Sequence, residues 1–272
     1  MTTFALMSDV HLEHGGLNFN LPPADILLLA GDICQVNYLK NSSEFLKNEK
    51  TASEFINTVS RKYNKVVWVP GNHEYYDGCI DLTNDIVAQY FKRNGIDNVS
   101  YSEFGTHETH DVKIIYATLW TDMKKMNPLV VADATFFMND YRLINKINTS
   151  ECVDPSQRPL IPTDTLELHQ KHRLHIQNES TNTDKKVVVM THHAPLVDLA
   201  RHTHGYGPTD YYYGCTDMED LIKDNNIHTW VYGHTHSRDC REIYGTQFMS
   251  NCRGYLGHEA AAASFTVKTF TV

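Results

Sequence analysis

The chain lacks an apolar run of the roughly 18 residues that would span a membrane. Its opening stretch, Met1 to Ser8, is short and uncharged, unlike a secretory leader, so a cytoplasmic protein is expected. The six cysteines (Cys34, Cys79, Cys152, Cys215, Cys240 and Cys252) form no Cys-x-x-Cys pair. That excludes zinc-ribbon spacing and favours reduced thiols. Basic residues are outnumbered, with 24 Lys and Arg against 33 Asp and Glu and a net charge of −9. A broad duplex-DNA-binding face would be basic, so the balance argues against one, although a local positive site stays open. Internal repeats, low-complexity tracts and linkers are also lacking. A single domain over 1–272 is expected, with a substrate-side insert around 123–183.

What the chain does have is length and histidine. Its 272 residues, 41% apolar, suffice for a sizeable core. Its 16 histidines prompt a search for metal ligands. Short apolar runs recur at Phe4–Met7, Ile26–Ala30, Val66–Val69, Val112–Leu119, Val187–Met190 and His228–Tyr232, each too short for a helix. Between them lie helical stretches. One runs from a Ser42 or Ser43 cap to about Tyr63, and another covers Leu82–Arg93, stopping at Gly95. Further helices are expected at Leu129–Met138, Thr165–Gln177 and Met218–Lys223. Final strands are expected around Gln247–Ser250 and Ala263–Val272. Strand alternating with helix implies an α/β fold with parallel strands.

Such folds build their sites at the carboxyl ends of strands. Asp9 and His11, Asp32, Asn72, His192, and the pair His234 and His236 all follow apolar runs. Together they are more ligands than one ion needs. Nitrogen and oxygen donors without thiolate suit Zn²⁺, Mn²⁺ or iron. Two divalent cations could share one carboxylate and one water, and Asp32 lies between the groups in sequence.

Asp9-Val10-His11, Gly31-Asp32, Gly71-Asn72-His73-Glu74, His192 and Gly233-His234-Thr235-His236 occur in an order that resembles the calcineurin-like metallophosphoesterases. The resemblance covers residues 9 to 236. It implies a four-layer α/β/β/α sandwich of two mixed β-sheets with a dinuclear metal centre. By that likeness Asp9, His11, Asp32 and His236 would hold one ion, and Asp32, Asn72, His192 and His234 the other. The family pattern selects His192 over His193. It further implies hydrolysis of phosphomonoesters or phosphodiesters by in-line attack of a metal-bridging hydroxide, with His73 stabilising the transition state or protonating the leaving oxygen. The substrate would be a small molecule or nucleotide.

Phosphoprotein phosphatases of this superfamily orient that histidine with an Asp-Arg-Gly. Here Ile33-Cys34-Gln35 follows Asp32, so the partner of His73 is not readable. Two stretches, Met138–Ile144 and Asn251–Tyr255, resemble a bacterial and phage branch, with Cys252 where related sequences often carry proline. They nominate Arg142 and Arg253 as phosphate contacts, since guanidinium matches two phosphate oxygens. The loop Arg201–Pro208 holds a second His-x-His. It reads as a solvated loop or as a rim that offers His204 to substrate. A nuclease on single-stranded nucleic acid and a non-catalytic scaffold are the competing functions.

Overall fold

A computed structural model describes residues 1–16, 20–40, 46–148, 156–181, 183–200 and 211–272. In chain order the strands are β1 (Thr3–Met7), β2 (Ile26–Ala30), β3 (Lys65–Val69), β4 (Gly78–Cys79), β5 (Val99–Tyr101), β6 (Phe104–Glu108), β7 (Val112–Ala117), β8 (Ile144–Ile147), β9 (Gln157–Pro159), β10 (Lys186–Thr191), β11 (Ile227–Tyr232), β12 (Arg238–Ile243), β13 (Thr246–Asn251) and β14 (Lys268–Thr271). One sheet has the order β14-β1-β2-β3-β5 and a second β12-β13-β11-β10-β7-β6. Within each, the central strands are parallel. Phe4 pairs in register with Ile26, and Ile26 with Lys65; Val187 pairs with Lys113. Antiparallel strands close the edges at β14, β12 and β6. Both sheets are therefore mixed.

Alternation along the strands sorts side chains into layers, because successive residues point to opposite faces. Phe4, Leu6, Ile26, Leu28, Val67 and Val69 of the first sheet meet Ile114, Val188, Met190, Val231 and Met249 of the second. The intervening residues Ala5, Met7, Leu27, Leu29, Val66 and Trp68 face outward, onto α1 (Leu46–Lys62) and α2 (Ile80–Asn94). There they meet Phe55, Ile56 and Val59, then Val87, Tyr90 and Phe91. On the far side, Ile115, Val187, Val189, Trp230 and Phe248 pack against Ile176 of helix Pro162–Thr181 and against Leu221 and Ile222 of helix Glu219–Asp224. The result is four layers, helix, sheet, sheet, helix. Each fully buried Leu or Val in them contributes about 1.5–3 kcal/mol of transfer free energy.

The structure adds the edge strands β5, β6 and β12 to the expected elements, and three further features differ. A third sheet, β4-β8-β9, forms above the strand ends. Its cover includes Tyr75, Tyr76, Trp120, Val130, Tyr141 and Leu160. The tail makes a 3-10 turn at Ala260–Ser264 before β14, so the expected strand from Ala263 is shorter. The second helix starts at Ile80, and Gly95 (φ 64°) ends it by returning its N–H to the Phe91 carbonyl. The expected Ser42 or Ser43 cap lies outside the described residues.

Candidate metal centre

Seven side chains converge from both sheets. Asp9 and His11 follow β1, Asp32 follows β2, and Asn72 follows β3. His192 follows β10, and His234 and His236 follow β11. Five of them sit in the left-handed region, at φ 50° (Asp9), 47° (His11), 55° (Asp32), 64° (His234) and 49° (His236). Each such residue is strained by about 1–2 kcal/mol. Backbone hydrogen bonds between the turns hold them there. Asp9 N–H donates to Gly31 O at 2.9 Å, His11 N–H to Asp32 O at 3.0 Å, and Gly233 N–H to His192 O at 2.9 Å. Gly71 allows close approach, since a Cβ there would lie 2.2 Å from Asp32 Oδ1.

The seven gather in two halves. Ligand atoms of Asp9, His11 and His236 cluster together, as do those of Asp32, His192 and His234. In the first half, His11 Nε2 is 3.1 Å from His236 Nε2, which is 3.6 Å from Asp9 Oδ1. In the second, Asn72 Oδ1 is 3.1 Å from His192 Nε2 and 3.2 Å from His234 Nδ1. Asp32 spans them. Its Oδ1 accepts the His73 N–H at 2.8 Å, while Oδ2 lies 3.7 Å from His11 Nε2 and 3.5 Å from His192 Nε2.

The donor set fits cations. His192 Nδ1 faces the Ala30 carbonyl at 2.9 Å, a contact only an N–H can satisfy, so its Nε2 carries a lone pair. His11 Nδ1 faces Glu13 Oε1 at 3.0 Å and His236 Nδ1 faces Glu259 Oε1 at 2.6 Å. In the neutral rings their Nε2 lone pairs face each other at 3.1 Å, although, against the effect of burial, Glu259 and Asp9 raise the pKa of His236. Asn72 commits its amide N–H groups to Asp140 Oδ1 (2.9 Å) and the Tyr76 hydroxyl (3.1 Å), leaving its carbonyl oxygen turned inward. Acceptors meeting acceptors repel unless positive charge lies between them. Titration behaviour agrees. Burial pulls His192 down to about 3 and His11 to about 4, which keeps both rings neutral, as a metal ligand must be. Burial, with the charges of Glu74 and Asp9, raises the Asp32 carboxyl well above its ordinary range, a load a cation would relieve.

Carboxylates behind the ligands escaped the sequence reading. Glu13 and Glu259 back His11 and His236, and Asp140 backs Asn72. Orienting partners of this kind fix ring tautomers and ligand direction. Asp140 lies in the quoted Met138–Ile144 stretch, and Glu259 four residues beyond Tyr255. Glu74 accepts from the N–H groups of Asp32 (2.8 Å), Gly71 (2.7 Å) and Ile33 (2.7 Å), clamping two ligand-bearing turns together. Burial raises its carboxyl to about 7 despite these bonds. Glu13 also reaches His73, with Nδ1 3.0 Å from its Oε1. The ring of His73 stacks on Tyr76 at 4.2 Å, and its Nε2 lies 3.3 Å from the Tyr255 hydroxyl.

The remaining sequence nominations fare differently. His193 turns away to the Thr118 carbonyl (Nδ1···O 3.1 Å) and stacks on His234 at 4.6 Å, supporting it from behind. Arg253 is 3% exposed and donates to the carbonyls of Val10 (3.2 Å), Gly15 (3.0 Å) and Gly16 (2.8 Å). These bonds tie down the loop that carries His11. Arg142 is exposed and caps the Phe137 carbonyl at 3.1 Å, and among the described residues no contact joins it to the seven converging side chains. The chemistry of its stretch belongs to Asp140. His204 lies outside the described residues.

Comparison with known proteins agrees with this geometry. An uncharacterized protein of Acanthamoeba polyphaga mimivirus is 28% identical over 283 residues, covering 95% of this chain and 93% of its own. Among solved structures, the phosphopantetheinyl hydrolase PptH from Mycobacterium tuberculosis matches with a TM-score of 0.67 and 18% identity, covering 98% of this chain and 95% of that one. A dimetal phosphatase from Danio rerio matches at 0.55 with 11% identity, over 98% and 91%. These two share the fold. The profile of the calcineurin-like phosphoesterases matches residues 2–238, and the chain belongs to that family.

Proposed function

We propose that the chain hydrolyses phosphate esters using two divalent cations. Asp9, His11, Asp32 and His236 would hold one, and Asp32, Asn72, His192 and His234 the other. The observation that carries this reading is the meeting of lone pairs on both sides of Asp32, with each remote ring nitrogen of His11, His192 and His236 already committed as a donor. The nitrogen and oxygen set suits Zn²⁺, Mn²⁺ or Fe²⁺. When bound, such ions supply hydroxide at neutral pH and offset charge on the phosphoryl oxygens.

The chain's own groups do the rest. Buried Asp32, Asn72 and His192 keep the centre rigid, and orientation of this quality is worth several orders of magnitude in rate. As the imidazolium, His73 delivers the proton on Nε2 to the leaving oxygen as the P–O bond breaks, and it takes a proton back from solvent before the next turnover. Phosphorus gains the oxygen of one water, and that water's spare proton passes to solvent. Arg253, engaged with three carbonyls, takes no part in this proton transfer.

The test is hydrolysis of p-nitrophenyl phosphate and its bis ester with added Mn²⁺ or Zn²⁺, before and after chelation. A phosphopantetheine-bearing ester joins the panel because of the name of the M. tuberculosis structure. Turnover that chelation abolishes and metal restores is expected. Two bound ions without turnover on any ester would replace the enzyme with a scaffold. Strongly salt-dependent binding and cutting of single-stranded DNA would instead favour a nuclease.

A further inference from the structure

Glu13 stands between two histidines of different use. It sits on the 3-10 turn Leu12–His14 directly after His11. One oxygen, Oε1, lies 3.0 Å from His11 Nδ1 and 3.0 Å from His73 Nδ1. The other, Oε2, is buried without a hydrogen-bond partner. An ionised carboxylate only accepts, so both imidazoles present an N–H to it. That fixes the opposite nitrogens. His11 Nε2 turns to His236, and His73 Nε2 turns to the Tyr255 hydroxyl at 3.3 Å. The His73 ring has little room to depart from this pose. Tyr76 stacks on it at 4.2 Å, and His11 meets it edge-on at 4.4 Å. The turn is also anchored. Leu12 N–H donates to Ile33 O at 3.0 Å, and Arg253 holds the carbonyls of Gly15 and Gly16.

We infer that Glu13 is a positioning residue that serves ligand and acid at once, holding His11 as an Nε2 ligand and presenting Nε2 of His73 to the leaving oxygen. This rests on the phosphoesterase reading above. A sequence without the Asp-Arg-Gly partner would thereby orient its acid from the loop after the first strand. Because one oxygen serves both rings, a shift of the ligand would carry the acid with it. A third cation held by Glu13, His11 and His73 is the rival arrangement, since their ligand atoms also lie close together. In that case both Nδ1 atoms would lose their protons.

Two measurements decide. The first is the long-range ¹H–¹⁵N spectrum of the zinc-loaded protein, with His73 assigned by comparison with His73→Asn. A proton on His73 Nδ1, lost as a fixed state in Glu13→Ala, is expected. An unprotonated Nδ1 in the wild type overturns the inference. The second compares Glu13→Gln with wild type on p-nitrophenyl phosphate and on phenyl phosphate, at saturating zinc with metal content measured on the same samples. Loss of an oriented acid should slow the poor leaving group by about 10²-fold and the good one by less than about tenfold. Equal loss on both esters, or full recovery with metal alone, points to a purely structural Glu13 and overturns it. If the wild type turns over neither ester, the hydrolase reading fails, and the spectrum alone still decides the placement of His73.

Discussion

Replacing Gly71 with alanine adds one methyl group at the tightest point of the centre. Its Cβ would lie 2.2 Å from Asp32 Oδ1, 2.6 Å from His192 Cε1 and 2.7 Å from His192 Nε2. An ordinary carbon contact is about 3.5 Å, so both neighbours must retreat by about 1 Å. Neither is free to do so. Asp32 Oδ1 is held by the His73 N–H at 2.8 Å, His192 Nδ1 by the Ala30 carbonyl at 2.9 Å, and Gly71 N–H by Glu74 at 2.7 Å. Overpacking of this kind costs about 1–3 kcal/mol. For a chain of this size, 2 kcal/mol lowers the melting temperature by about 4–8 °C. The larger effect should be on function, because a displacement of about 1 Å can cost about 10²-fold in rate. Gly95→Ala is the control. It places a Cβ in open space at φ 64°, so it should destabilise by about 1–2 kcal/mol and leave turnover alone. Calorimetry, elemental analysis and p-nitrophenyl phosphate kinetics on both variants make the comparison. A Gly71→Ala protein with wild-type metal content and turnover would refute the claim that Asp32 and His192 must stay where they are.

Other expectations follow from individual contacts. Asp140→Ala frees the Asn72 amide to rotate, so affinity for the ion on the Asn72 side should fall about 10–100-fold in equilibrium dialysis, while the Asp9 side is retained. Unchanged affinity for both ions would show that Asn72 needs no such support. Arg253→Ala removes the donor from the buried Val10 carbonyl and the half-buried Gly15 and Gly16 carbonyls, and should cost about 1–3 kcal/mol in denaturant unfolding, with little change in KM. A KM raised more than about tenfold at unchanged stability would return Arg253 to the phosphate. Asp164 tests a pH dependence. Burial alone would raise its carboxyl, but the paired bonds from Arg158, both 2.7 Å, with the Ile161 N–H, hold it below the ordinary value. A depressed carboxyl contributes stability above its unfolded pKa and loses it as pH falls through the folded one. Asp164→Asn should therefore be less stable by about 1 kcal/mol at pH 7, after allowance for solvent around Arg158. The two proteins should begin to converge below about pH 4 and meet only once pH has fallen through the folded pKa of Asp164. A constant difference across that range would contradict the linkage.

The central strands were legible because burial on both faces writes an unbroken apolar run, as in Ile26–Ala30 and Val66–Val69. Once those ends were placed, the polar residues after them fell on one rim. Edge strands carry no such signal. β12 reads Arg-Asp-Cys-Arg-Glu-Ile, with one face in water, and β6 alternates exposed and half-buried positions. The short strands of the third sheet carry too few residues to show a period. Among site residues, the inward-facing set announced itself by donor type after a strand. The supporting carboxylates did not, because Glu13, Asp140 and Glu259 look like any surface acid until the loops bring them behind a ligand. Arg253 shows the same limit. Its guanidinium suits a phosphate, and nothing in the sequence points to the three backbone carbonyls it also bonds.

The proposed chemistry depends on one carboxylate, Asp32, lying between two cations. Equilibrium dialysis of the wild type and of Asp32→Ala against Zn²⁺, followed by metal analysis per chain, tests this most directly. Two ions per wild-type chain are expected, with both bound more weakly in the variant. A wild type that holds fewer than two ions, or an Asp32→Ala protein that keeps one site at full affinity, would contradict the shared centre.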